Sequence, residues 1–211
     1  LAEENGITLQ ELELAYDGLT VAVSAQNDFI DNLTIDQLKQ IFLADSGKTK
    51  WSDINPEWPD EPIEIFSPGH DSGTFDYFNE VILEENRMRE DENTTLSEDD
   101  NMLVMGISNN PHAIGFFGYA YYIQNQNVLK AVSIEGVAPN MDTIQSGEYT
   151  PLSRPLFTYV NAESLKKPEV YHFARFVLDN AAEAAEEAGY VALPAEKYEE
   201  QKALIDELAG K

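Results

Sequence analysis

The residues Asp71-Ser72-Gly73-Thr74 lie between a short apolar run ending at Phe66 and a helical pattern beginning near Phe75, and they combine two hydroxyls with a glycine. A helix start leaves about four backbone N–H groups without internal partners and carries roughly half a positive charge. Gly73 lets the backbone approach a ligand closely, while Ser72 and Thr74 add hydroxyl donors. Such a set suits a compact tetrahedral oxyanion and requires no net positive charge on the protein. The same residues fit a second role, in which Ser72 caps the helix and Gly73 eases the turn. The local pattern leaves both roles open.

Other residue groups suggest chemistry less strongly. His70, Asp71 and Ser72 are the residue types of a hydrolytic triad, but neighbours in sequence rarely meet in triad geometry and no Gly-x-Ser-x-Gly elbow is present. A phosphoryl-handling hydrolase using Ser72 is therefore the alternative from a different functional class. The run Ser97-Glu98-Asp99-Asp100-Asn101 lacks the spaced ligands and central glycine of a calcium loop. It reads instead as a helix start capped by Ser97 or Asp99, with Ser97 and Asn101 also available to face a ligand. The three histidines, His70, His112 and His172, are scattered, and there is no cysteine. No metal site, thiol nucleophile or disulfide is expected, and no motif asks for a cofactor.

These residues need a scaffold, and the pattern around them is α/β. Leu19 to Ser24 reads as a buried strand after a turn at Tyr16-Asp17-Gly18. Thr34 with Gln37 forms a capping box for a helix whose apolar face is Leu38, Ile41 and Phe42, with Leu33 and Leu38 as its staple. Ala44 to Pro62 reads as a long loop anchored by Trp51 and Trp58. A strand over Ile63–Phe66 and a helix from about Phe75 to Glu85, with Phe75, Phe78, Val81 and Ile82 on one face, bracket the Ser-Gly-Thr loop. The acidic stretch Glu84 to Asp100 leads into a helix carrying Leu103, Val104 and Ile107. Strands are expected at Ala113–Ala120, Ala131–Ile134 and Leu156–Val160. Two helices follow, one starting at Pro168 with Val170, Phe173, Phe176 and Val177 as its apolar residues, the other over Ala195–Leu208. His172 reads as a packed or surface residue.

Composition narrows the classes of partner. With 13 Lys and Arg against 39 Asp and Glu, the 211 residues carry a formal charge of −26. Such a surface repels nucleic acid and anionic lipid, so neither is an expected partner. Hydrophobic residues at 43% and charged residues at 25% are the balance of a globular protein with a sizeable core. No run approaches the roughly 18 apolar residues of a membrane helix. The chain opens Leu-Ala-Glu-Glu-Asn-Gly, without the basic start and apolar run of an export signal, which fits either a cytosolic protein or a processed or truncated one.

Five ordered runs carry a family resemblance: Ala15-Tyr16-Asp17-Gly18-Leu19-Thr20-Val21, Pro68 to Phe78 (PGHDSGTFDYF), Ser97 to Asn101 (SEDDN), Gly115 to Tyr122 (GFFGYAYY) and Pro151 to Phe157 (PLSRPLF). Together they span essentially the whole chain. The chain resembles the phosphate-binding protein of the bacterial high-affinity phosphate ABC transporter. That resemblance implies a two-lobed, type II periplasmic-binding-protein fold, each lobe an α/β sandwich with phosphate in the cleft between them. It also implies a binding subunit and not an enzyme, with inorganic phosphate as ligand, a membrane permease as partner and a periplasmic or surface-anchored location. Ser72, Gly73 and Thr74, with Asp71 beside them, would hold phosphate from the second lobe, with His70, Ser97 and Asn101 further out. Sulfate or another tetrahedral oxyanion is the alternative ligand.

Two departures from the family pattern matter. Members with a different loop place an arginine and an aspartate just upstream of Ser-Gly-Thr, where this chain has Pro68 and His70. Arg154 is the remaining candidate for charge compensation, since a guanidinium suits phosphate, and an ordinary hinge salt bridge is its other reading. The family's first strand, with its Gly-Ser-Ser-Thr-like turn, and its proton-accepting aspartate both lie upstream of where this sequence starts. Residues 17–153 would then be a complete second lobe, and 1–16 with 154–211 the remainder of a first lobe lacking about half its structure. An exposed sheet edge and apolar face on that first lobe would favour self-association or a missing first-lobe segment as partner.

The charge balance generates a prediction of its own. Self-repulsion should be relieved as sodium chloride rises to about 1 M, where the Debye length falls to about 3 Å. The melting temperature should therefore climb across that series in a buffer without phosphate. A flat or falling profile by differential scanning calorimetry would show that repulsion is not a significant component of stability.

Overall fold

The computed structural model describes residues 2–211, and the chain divides into two compact units, Leu1–Asp17 with Arg154–Lys211 and Gly18–Ser153. The division falls at Asp17/Gly18, one residue later than the sequence suggests. No turn interrupts the chain there. Strand β1 runs unbroken over Leu9–Ser24, through Tyr16-Asp17-Gly18. Gly18 is needed for packing and not for a turn, because a Cβ there would lie 2.5 Å from Ile144 Cδ1.

The larger unit contains β2 (Asn32–Leu33), α1 (Ile35–Phe42), α2 (Trp51–Ile54), β3 (Glu64–Pro68), α3 (Gly73–Val81), β4 (Thr94–Ser97), α4 (Asp100–Ser108), β5 (Ala113–Gly118), α5 (Tyr119–Gln124), β6 (Leu129–Ala131), β7 (Ser133–Ile134) and α6 (Met141–Gln145). Its sheet has the order β4-β3-β5-β1-β6. β3 pairs parallel with both β4 and β5, whereas β1 runs antiparallel to β5 and β6. Because successive strand residues face opposite sides, neighbours on β5 feed two cores. Phe116 stacks on Phe78 of α3 at 4.0 Å, with Phe42 of α1 edge-on to both. Phe117 packs with Ala22, Leu129 and the α4 residues Leu103, Val104 and Ile107. Helices thus cover both faces of a buried sheet, the arrangement that parallel strands require.

Several local details differ from the sequence expectation. The Thr34–Gln37 capping box of α1 is formed as expected. The Ala44–Pro62 loop contains α2, whose Trp51 is fully buried, donates from Nε1 to the His112 carbonyl and lies edge-on to Phe29 and Trp58. α3 starts two residues earlier than Phe75 and stops at Val81, because Glu84 and Glu85 take positive φ values of 53° and 62°. A strand, β4, lies inside the acidic stretch; parallel pairing to β3 holds it, which no local hydrophobic pattern announces. The expected strand at Ala113–Ala120 ends at Gly118 and gives way to α5, and the one at Ala131–Ile134 divides into β6 and β7.

The smaller unit pairs the first part of β1 with β8 (Ser153–Asn161) and, antiparallel, with β9 (Val191–Ala192). Helices α7 (Pro168–Glu187) and α8 (Ala195–Ala209) are joined by Arg175 and Tyr171 to Asp206. The expected apolar stripe of α7 is wrong: the buried side is Ala174, Leu178, Ala181 and Ala185, small residues that let the helix lie close. Phe173 and Phe176 stand 68% and 63% exposed, and His172 is exposed beside Tyr171. Among the described residues no helix is long and apolar enough to cross a membrane.

Phe66 of β3 fills the space over Gly106 of α4, where an added Cβ would come within 2.0 Å of its ring. Gly106→Ala should therefore destabilise the chain by about 1–3 kcal/mol, although alanine is the better helix former. Urea unfolding followed by circular dichroism tests this, and a gain in stability would show that Phe66 does not set the spacing beneath the loop.

Candidate functional site

Parallel pairing places the carboxyl ends of β3, β4 and β5 along one edge, the position where open α/β sheets take ligands. Pro68 and Ser97 are register partners, and the Gly69 N–H donates to the Ser97 carbonyl at 3.1 Å. The loop after β3 is thereby seated against the turn after β4. It closes on itself through the Ser72 N–H, which donates to the Gly69 carbonyl at 3.1 Å, and then enters α3 at Gly73.

Ser72 is the N-cap of α3, its Oγ accepting from the Thr74 N–H at 3.2 Å. A hydroxyl that accepts still has its own proton to donate, so the capping contact leaves Ser72 an outward donor. Among the described residues the N–H groups of Gly73 and Phe75 and the Thr74 hydroxyl engage no protein partner. A Cβ built on Gly73 would meet nothing within 4 Å, so packing does not require glycine there. A free hydroxyl pair, free backbone donors and open space thus converge at the helix start.

The other expected residues are placed as follows. Asp71 is exposed, and its N–H donates to Glu98 Oε1 at 3.4 Å. His70 lies edge-on to Phe75 with Nε2 3.4 Å from Glu90, and no hydrogen bond among the described residues joins it to Ser72. His70 is therefore not joined to Ser72 as a nucleophile–base pair. Asp99, not Ser97, caps α4, accepting from the Asn101 N–H at 2.9 Å; the Asn101 amide also turns back on Asp99, and Ser97 Oγ accepts from the Asp99 N–H. Ser97 and Asn101 therefore brace the neighbouring turn. Burial raises the Asp100 carboxyl, a hydrogen bond from Tyr121 of α5 opposes the rise, and Asp99 and Glu98 add to it. Among the described residues no cluster of three or more histidine or carboxylate side chains is set to hold a metal ion.

Arg154 belongs to the smaller unit, where its Nη2 meets Asp17 Oδ2 at 3.3 Å. Asp17 is 8% exposed; burial raises its pKa, and the Arg154 charge and hydrogen bond pull it back. The residue that sequence reasoning missed as a neighbour of the loop is Glu98. Its signal is Gly69, whose missing side chain makes room for it, but only the β3–β4 register reveals the pairing.

Comparison with known proteins accords with this arrangement. The profile of the PBP superfamily domain matches residues 1–181. A phosphate-binding protein PstS from Staphylococcus saprophyticus is 39% identical over 99% of this chain, which spans 65% of that protein; the curated relatives it matches are covered over 59–65% of their length. The crystal structure of a possible phosphate binding protein from Planctomyces limnophilus superposes with a TM-score of 0.91 at 41% identity, covering 98% of this chain and 75% of that one. An ABC-type phosphate transport receptor from Vibrio cholerae shares the fold, with a TM-score of 0.71 at 24% identity over 89% of this chain and 73% of its own. The chain belongs to the PBP superfamily, among its PstS-like phosphate-binding proteins. These relatives are named as a binding protein and a transport receptor.

The two glycine-and-serine roles can be separated by stability alone. Ser72→Ala should cost about 1 kcal/mol by loss of the cap, whereas Gly73→Ala should be neutral or stabilising by up to about 1 kcal/mol. Thermal unfolding without added anion measures both. If Gly73→Ala lost more than about 1 kcal/mol, glycine would be a requirement of the fold and would no longer point to a ligand.

Proposed function

We propose that the chain binds inorganic phosphate at Ser72, Gly73 and Thr74 and serves as the solute-binding subunit of an ABC transporter, outside the cytoplasm, delivering its ligand to a membrane permease. One observation carries this reading: the helix start offers free hydroxyl and backbone donors facing open space, in a chain of the PstS-like group. Ser72 and Thr74 donate hydroxyl protons, Gly73 donates its N–H, and the dipole of α3 favours the negative charge. Asp71 flanks the mouth, and Arg154, held by Asp17, is the candidate counter-charge in this reading. Capture of this kind discriminates by leaving a wrong ligand with an unpaired buried group, so affinity need not come from net positive charge.

In the same reading, residues 18–153 form one lobe of a two-lobed binder, and 1–17 with 154–211 belong to the other. High affinity would then depend on donors from both lobes closing over the anion and excluding water.

Isothermal calorimetry tests the ligand and the loop together. Ser72→Ala and Thr74→Ala should each weaken phosphate binding by about 1.5–3 kcal/mol, the range for a hydrogen bond to a charged partner. Far-UV circular dichroism should be preserved, and sulfate at matched ionic strength should bind more weakly than phosphate. A colorimetric assay should find no phosphatase activity. Wild-type affinity in both variants would refute the site, and equal affinity for sulfate would make the chain a general oxyanion binder.

A further inference from the structure

Resting on the phosphate reading above, we infer that Glu98 is a resident carboxylate that occupies the binding loop and must leave it when an anion enters. Glu98 sits in the turn between β4 and α4, 27 residues from the loop it touches. Its Oε1 would lie 1.9 Å from a Cβ on Gly69, and its Cδ 2.6 Å, so the carboxylate rests in a notch that exists because residue 69 is glycine. There it accepts the Asp71 N–H, a donor immediately before Ser72. A negative group bound by this loop is thus supplied by the protein. Asp71, Asp99 and Asp100 are its neighbours in the loop and the turn, and the charge of Glu98 already adds to the raised pKa of Asp100.

Two consequences follow from charge and space. An arriving phosphate dianion meets a carboxylate already drawing on the same loop, so binding must exchange one anion for another instead of filling a neutral cradle. Glu98 is exposed and holds the loop through a long hydrogen bond, so it can swing outward without disturbing the core. Glu98 would then set the phosphate level at which the site fills, acting as a positioning residue for the empty loop and not as a ligand contact in the filled one.

Amide-detected NMR of the 211-residue chain tests this, with sodium phosphate titrated at constant ionic strength into the wild type, Glu98→Gln and Gly69→Ala. Glu98→Gln removes the charge at nearly constant size and should bind phosphate about threefold or more tightly. Gly69→Ala keeps the charge but closes the notch; in its ligand-free spectrum the Asp71 amide should move toward the shift of an unbonded N–H, with a smaller gain in affinity. Saturable binding that Glu98→Gln leaves unchanged overturns the inference while preserving the phosphate reading. Weaker binding by Glu98→Gln also overturns it, and would make Glu98 an acceptor for a phosphate proton. If no variant shows a saturable shift of the Gly73 amide, the phosphate reading fails and this inference fails with it.

Discussion

The parallel register of β3 against β4 and β5 is the constraint on which the site depends. It brings three strand ends to one edge and sets Pro68 beside Ser97, so that the loop after β3 hangs from the turn after β4 by the Gly69–Ser97 hydrogen bond. The loop's own closure, Ser72 to Gly69, then delivers the chain into α3 with the first donors of the helix pointing away from the core. Beneath it, Phe78 of α3 is fixed by stacking on Phe116, and Phe66 of β3 by the Gly106 gap in α4. The helix start is therefore held from two sides by dense packing while its outer face carries no protein atoms near Gly73. Rigid support with an open front is what a preorganised anion cradle requires.

A chain of charge −26 that is proposed to bind an anion would have to do so locally. Long-range steering opposes approach, and screening within about 8 Å at physiological salt limits that opposition to the surface. At the loop, the favourable elements are neutral: hydroxyl protons, backbone N–H groups and the helix dipole, which keep their strength only where water is excluded. Acidic neighbours such as Asp71, Glu98 and Asp99 then raise the cost of holding any anion that cannot offer complementary hydrogen bonds. A site assembled this way gives up affinity from charge and gains discrimination, because a mismatched ion leaves a donor unpaired beside several carboxylates.

Much of this was readable in the sequence, for reasons that can be located. The Thr34–Gln37 box, the Ser72 cap and the apolar faces of α1 and α4 are local, set by spacings of three and four residues, and the sequence displays them directly. What was hidden is non-local. β4 owes its existence to pairing with β3 and not to its own composition, and the partner of Gly69 is Glu98 only through that register. α7 misled for a different reason: its two phenylalanines outweigh its alanines on any hydrophobic scale, yet the alanines face the packed side because small residues permit close approach. The sequence also posed cap and anion site as rival roles for Ser72. The two are compatible, since an oxygen that accepts from Thr74 keeps its proton for a further acceptor.

The same accounting bears on Arg154. Asp17 is buried on β1, and desolvation is the largest influence on its carboxyl, so its charged form is sustained by the guanidinium 3.3 Å away. Drawing Arg154 off to a phosphate would strand that carboxylate in a poorly solvated position, a cost of several kcal/mol for a buried pair broken on one side. A guanidinium has five N–H donors in a planar fork, and one edge of this one is held by Asp17. The economical role for Arg154 is therefore to stay with Asp17 and share its charge. On that arrangement the aspartate orients the arginine, and the proposed phosphate recognition rests first on the neutral donors of Ser72, Gly73 and Thr74.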